Sequence, residues 1–132
     1  MAFQYGTTLR NNQIGQIQTT CGASATLLIF SGAEPANPAA ADPTGLLATI
    51  ALPASFLTSA GGVASLAGSW TVAASGTGTA ASFRIKDGSA VCHVQGNVTA
   101  TGGGGDLQLN NVSIATGQTV TVTAFTVTAG NA

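Results

Sequence analysis

His93 is the one histidine in the chain and Cys92 stands directly before it, so nucleophilic chemistry is the first to weigh. A thiol or hydroxyl becomes a useful nucleophile when an imidazole within hydrogen-bond reach takes its proton and an acid orients that imidazole. Here the two sit in the strand-like run Ala90–Val98, where successive side chains point to opposite faces, so they diverge. Metal chemistry lacks its ligands: one His, the distant Cys21 and Cys92, and the scattered acids Glu34, Asp42, Asp87 and Asp106 repeat no ligand spacing. All these acids fall in turns or loops, which leaves no paired carboxylates for a glycosidase. The glycines of Gly102–Gly105 before Asp106 suggest a phosphate loop, but no Lys-Ser or Lys-Thr follows and the flanks read as short strands. A flexible hairpin tip or close-contact loop is the expectation there. The chain is read as a non-enzyme with no catalytic, cofactor-binding or metal residues.

Two cysteines are too few for a secreted disulfide scaffold and read as two buried thiols. A disulfide would require the helix end near Cys21 to lie against the strand holding Cys92. The opening Met1-Ala-Phe-Gln-Tyr lacks the basic and apolar segments of a signal peptide, and no stretch approaches 18 uninterrupted apolar residues. Synthesis in a cytoplasm follows as an expectation. On that basis Asn97-Val-Thr99 and Asn111-Val-Ser113 are chance matches to a glycan acceptor.

These residues need elements to position them. Residues 5–20 place Leu9, Gln13, Ile17 and Cys21 on one side with Ile14 beside them, which predicts an amphipathic helix capped by Thr7 or Thr8 and stopped near Gly22. Ala25–Phe30 reads as a strand, apolar on both faces and covered on one by the helix. Ala33–Thr44 holds three prolines, which exclude a helix or central strand and leave a long loop or arm that makes contacts. Glu34, Pro35, Asn37, Pro38 and Pro43 are its candidate interface residues. A strand over Leu46–Leu52 ends at Pro53, and residues 54–67 read as an irregular connection around Gly61-Gly62.

Strands over Trp70–Ala74, Ala80–Lys86 and Ala90–Val98 follow, the last two joined at Asp87-Gly88 as a hairpin. Ala81, Phe83 and Ile85 share one face of the first hairpin strand, and Ser82, Arg84 and Lys86 the other. Short strands at 107–109 and 112–114 lead into Gln118–Thr128. There Val120, Val122, Ala124 and Thr126 point one way, and Thr121, Thr123, Phe125 and Val127 the other. The fold class is mainly β: a single domain built as an antiparallel β-sandwich or partly open barrel with one N-terminal amphipathic helix. Phe30, Phe56, Trp70, Phe83 and Phe125 are the expected large core anchors.

Composition bounds the function. Three Lys and Arg against four Asp and Glu in 132 residues is far below the charge a soluble monomer ordinarily carries. Arg10, Arg84 and Lys86 make no basic patch, which excludes the electrostatic grip on nucleic acid or an anionic membrane. With nothing charged on Gln118–Thr128, an edge there would invite pairing unless it is central or covered by another subunit. Thr121, Thr123 and Phe125 are therefore the further interface candidates, and a repeated, homo-oligomeric structural subunit is favoured.

The stretches Tyr5–Asn12, Ser24–Pro38, Phe83–Ile85 and Val98–Asn131 resemble a widespread family of small tailed-phage and prophage proteins. The resemblance implies a virion structural protein. Its first form is a capsid decoration or cement protein, with the major capsid protein or another virion protein as partner and three copies around a local axis. A tail, neck or collar subunit is the alternative, and a glycan-binding module using Trp70, Tyr5 and His93 is a third.

Overall fold

The computed structural model describes residues 3–129; Met1, Ala2 and residues 130–132, into which the C-terminal resemblance runs, lie outside the described residues. Helix α1 (Thr7–Cys21) starts from Gly6 in extended backbone and ends at Gly22, whose φ of 76° suits glycine. Neither Thr7 nor Thr8 caps it, because the N-cap position falls on Gly6, which has no side-chain acceptor. Ile14, Ile17 and Cys21 face inward as expected, whereas Leu9 and Gln13 of the expected line are exposed and Arg10 turns inward to bond main-chain carbonyls.

Strands β1 (Thr26–Phe30) and β2 (Leu46–Ala51) pair antiparallel on either side of the proline-rich segment. The connection expected to be irregular is a hairpin of β3 (Leu57–Ala60) and β4 (Val63–Leu66). Gly61 and Gly62 form its two-residue turn at φ 61° and 79°, values that match the right-handed twist of the flanking strands. β5 (Thr71–Ala73) follows, then β6 (Gly78–Thr79) and β7 (Ser82–Lys86). β7 turns into β8 (Cys92–Ala100) through Gly88-Ser89-Ala90, with Ala90 left-handed at φ 64° and Asp87 Oδ1 accepting from the Ser89 and Val91 amides at 2.9 and 3.0 Å. The hairpin is where the sequence places it, but its loop is one residue longer than Asp-Gly alone would make it.

β9 (Leu107–Leu109) lies parallel to β8, not as the return limb of a hairpin. Parallel neighbours ordinarily need a long crossover, and Gly102–Gly105 replace it. Gly102 and Gly104 take φ of 85° and 80°, and a Cβ on Gly103 or Gly105 would sit 2.7 Å from the Thr99 side chain. The glycine run is thus a tight loop-back. β10 (Ser113–Ile114) pairs with β6, and β11 (Thr119–Thr128) closes the chain.

β11 is no edge. It bonds to β9, β4 and β5, and the nine-stranded sheet runs β2-β1-β7-β8-β9-β11-β4-β3 with β5 also on β11. This mixed, mostly antiparallel sheet curls into an open half-barrel, and α1 packs against β3, β4 and β8, not over β1. A bulge between Val122 and Ala124 shifts the side-chain phase, so Val120, Val122 and Phe125 are all buried. The five expected aromatic anchors are in the core. Phe56, Trp70, Phe125 and Phe83 form a chain of ring contacts with centroids 5.6–6.1 Å apart.

Candidate functional site

The alternation of β7 puts Phe83 and Ile85 in the core and would leave Ser82 and Arg84 on the far face, yet Arg84 is only 2% exposed. Residues 33–44 cover it. The Ser31 amide bonds Gly45 O and the Gly32 amide bonds Thr44 O, so the two ends of the segment meet. Between them the chain folds back across β1, β7 and β8. Asn37 Oδ1 accepts from the Ala39 amide at 3.0 Å, making the local turn that brings carbonyls inward.

Arg84 reads that turn. Its Nη1 donates to Ala40 O and Asp42 Oδ1, both at 2.9 Å, and its Nη2 to Asn37 O at 3.2 Å and Gln95 Oε1 at 3.0 Å. Gln95 Nε2 donates to Pro35 O at 2.7 Å, and Lys86 pairs with the other Asp42 oxygen. The Lys86 hydrogen bond, followed by that from Arg84, holds the Asp42 carboxyl below its ordinary range. The segment is therefore a docked loop. Glu34, Asn37 and Pro38 are exposed on its outer side, and Pro35 and Pro43 are half-buried. Beside it lies an open groove of about 680 Å³ lined by Pro38, Asp42, Lys86, Val91 and Cys92 among others.

The other candidates separate. Thr121 Oγ1 lies 3.0 Å from Thr71 Oγ1, and Thr123 Oγ1 lies 2.6 Å from Thr101 Oγ1, so both belong to threonine pairs on the outer side of the sheet. Phe125 was expected to share that face. The bulge turns it inward instead, into the core, away from the outer face that carries Thr121 and Thr123.

His93 Nε2 lies 2.8 Å from Asp87 Oδ2, across the hairpin turn. That bond, with the amides of Val91 and Ser89, lowers the Asp87 pKa. An oriented imidazole is thus present, but Cys92 donates to Val94 O at 3.4 Å and burial pushes its thiol pKa up, the reverse of an activated nucleophile. Cys21 is buried and Cys92 half-buried, and both are free thiols. Among the described residues no three His, Cys, Asp or Glu side chains gather as metal ligands, and no helix is long and apolar enough to cross a membrane. Trp70 is buried with its Nε1 donating to Ala67 O at 3.0 Å, so it offers no ring to a sugar.

Arg10 is the second clamp. Its Nη2 donates to Ala129 O at 2.9 Å and its Nη1 to Gly61 O at 3.5 Å, while Asn11 Oδ1 accepts from the Gly62 amide and Gln18 Oε1 from the Leu57 amide. The helix is thereby bonded to the β3–β4 hairpin. In the sequence Arg10 and Arg84 read only as cations that make no patch. For Arg10 the available signal is an isolated Arg in an otherwise uncharged helix, whereas Arg84 shares its strand with Lys86 and carries no such signal. Comparison with family models, curated proteins and solved structures finds no match to this chain.

Proposed function

We propose that this chain is a non-enzymatic structural subunit of a tailed-phage particle, repeated over the head as a capsid decoration or cement protein. The observation that carries the reading is where the cations go. Arg10 and Arg84 are buried on main-chain carbonyls and Lys86 is paired with Asp42, so none of the three is left to charge the surface. The outward strand positions carry threonine instead: Thr119, Thr123, Thr126 and Thr128 of β11 are exposed. A surface meant only for water ordinarily carries Lys and Glu there. Contact with neighbouring subunits accounts for the substitution.

The docked loop supports the same role. Because Arg84 already fixes residues 33–44, Glu34, Asn37 and Pro38 can meet a partner with little conformational entropy left to lose. The phage context rests on the resemblance of the chain's ends, and the trimer on how decoration proteins cover joints between capsid subunits. Cryo-electron microscopy of the particle tests the proposal. Three copies around a local axis on the head is the expected result. Stacked rings in the tail would move the subunit to the tail, neck or collar, and absence from the mature particle would overturn the structural role.

A further inference from the structure

β9 is only three residues long, and the strands it joins continue past its start. Its pairing begins at Leu107, opposite Val98 on β8 and Phe125 on β11. Before that point β8 and β11 face each other with no strand between them among the described residues. Sheet neighbours are about 4.8 Å apart, so two strands that share a neighbour are separated by about 9.6 Å, the width that one further strand fills.

Just before β9, backbone alternation leaves each wall without a strand partner on the slot side, and α1 bounds the slot's far end, where Gln13 and Ile17 share a groove with His93 and Val94. On β8 the Val98 amide bonds Ala81 O on the β7 side, so Asn97 and Gln95, which lie clear of the bulge at His93, turn their main chain toward the slot. Asn97 shows this directly, with its amide 3.2 Å from the Asp106 carboxylate at the slot's head. On β11 the Ala129 amide bonds Gly62 O on the β4 side, so Thr128 and Thr126 face the slot. The space measures about 350 Å³, and Phe83, Val94, Phe125 and Val127 give it an apolar floor.

A strand of matching chemistry precedes the helix. Phe3-Gln4-Tyr5-Gly6 carries no charge and lies in no strand, and Gly6 is extended at φ −67° and ψ 157°. Phe3 is 71% exposed, the most exposed large apolar side chain among the described residues, and its ring meets that of Tyr5 edge-on at 5.1 Å. Residues i and i+2 of an extended segment share a face, so the two aromatics would enter a floor together.

We propose that Phe3–Tyr5 of one copy inserts between β8 and β11 of a second copy, adding a strand in line with β9. None of residues 3–6 of the same chain lines the slot, and Phe3 is exposed, while Arg10 fixes the start of the helix to Gly61 and Ala129. Main-chain bonds to Gln95, Thr126 and Thr128 would supply affinity, and the aromatic floor would supply register. Such a contact joins unlike surfaces, so it is head-to-tail and closes into a ring when the rotation allows. This inference stands apart from the phage reading, since it concerns only how copies of this chain meet.

The test uses the full chain, the double variant Phe3→Asp/Tyr5→Asp, and a fluorescent peptide of residues 1–7. Native mass spectrometry should find the wild type oligomeric and the double variant monomeric with an unchanged circular dichroism spectrum. The peptide should bind the double variant, whose slot is empty, and in excess should dissociate the wild-type oligomer. The Thr126 and Thr128 amides should exchange about tenfold or more slowly in the wild type than in the double variant. A monomeric wild type, whether its slot amides exchange freely or are protected by its own segment, would overturn the proposal. So would an oligomer that survives both aspartates.

Discussion

Arg84 and Arg10 are both buried, but one is closed in by a loop and the other by a helix. Arg84 has four acceptors, including the Asp42 carboxylate, within 3.2 Å. Arg10 has two carbonyls, one at 2.9 Å and one at 3.5 Å, and no acid. In each the Nε is buried without a partner. A buried charge is tolerated when its hydrogen bonds are met, and the two sites meet them to different degrees. The loop clamp is a geometric lock, because a planar fork with bonds on both terminal nitrogens fixes where residues 37–42 lie. The helix clamp is closer to a single tether that packing of Ile14, Ile17 and Cys21 reinforces.

The largest expected effect follows from removing the lock. Arg84→Ala should cost about 3 kcal/mol, the sum of a lost buried side chain and orphaned acceptors. Urea unfolding would give the loss, and hydrogen exchange should show it concentrated in residues 33–44. A loss of stability spread evenly over the sheet would mean that the loop is held by something other than Arg84. Arg10→Ala should cost less, about 2 kcal/mol, with the first turns of α1 and the Gly61–Gly62 turn losing protection.

Lysine sharpens the contrast. A single ammonium cannot serve acceptors arranged for a planar fork, whereas it can serve one good carbonyl. Arg10→Lys should therefore recover about half of the stability lost in Arg10→Ala, and Arg84→Lys little of that lost in Arg84→Ala. Equal recovery at both sites, measured by the same unfolding curves, would show that charge matters more than geometry.

What the sequence announces and what it hides divide along the same line. Gly22 as a helix stop, the Asp87 turn and the five aromatic anchors depend on local chemistry, and each is where the residues put it. The mainly β fold with its N-terminal helix is legible for that reason. The β3–β4 hairpin was visible in Gly61-Gly62 but masked by weak flanking alternation. The bulge at Val122–Ala124 was hidden, since one extra residue reverses the faces of everything after it. Main-chain partners hide most completely. Nothing in residues 33–44 distinguishes a carbonyl that receives Arg84 from one that faces water, so a docked loop and a free arm read alike.

Acid separates the clamps by a smaller margin. The Asp42 pKa is depressed in the folded chain, first by Lys86 and then by Arg84. Its contribution is complete above the unfolded carboxyl value of about 3.9 and is lost as pH falls through the lower folded value. Arg10 has no carboxylate to titrate. As pH falls below about 4, protection should therefore drop in residues 33–44 before the Arg10 contacts weaken. Asp42→Asn should remove that ordering. The Asp87–His93 bond titrates in the same direction, so Asp87→Asn serves as the control and should loosen only the 87–91 turn.

The smallest effect on the fold should come from the threonine face, which neither clamp touches. Thr123 is exposed, and its Oγ1 has only Thr101 Oγ1 at 2.6 Å and Gln108 O at 3.2 Å as partners. Thr123→Lys exchanges these surface bonds for a hydrated ammonium, and substitutions of this kind fall within about 0.5 kcal/mol. Its effect on assembly should be large if the face meets a neighbour, because an unpaired ammonium would then lose its water without gaining an acid in return. The measurement is the occupancy of wild-type and variant chains in particles assembled from an equal mixture. Depletion of the variant, with an unchanged unfolding midpoint for the isolated chain, is the expected result and assigns the threonine face to a subunit contact. Equal occupancy would return that face to solvent and leave the outer side of the docked loop as the surface to test next.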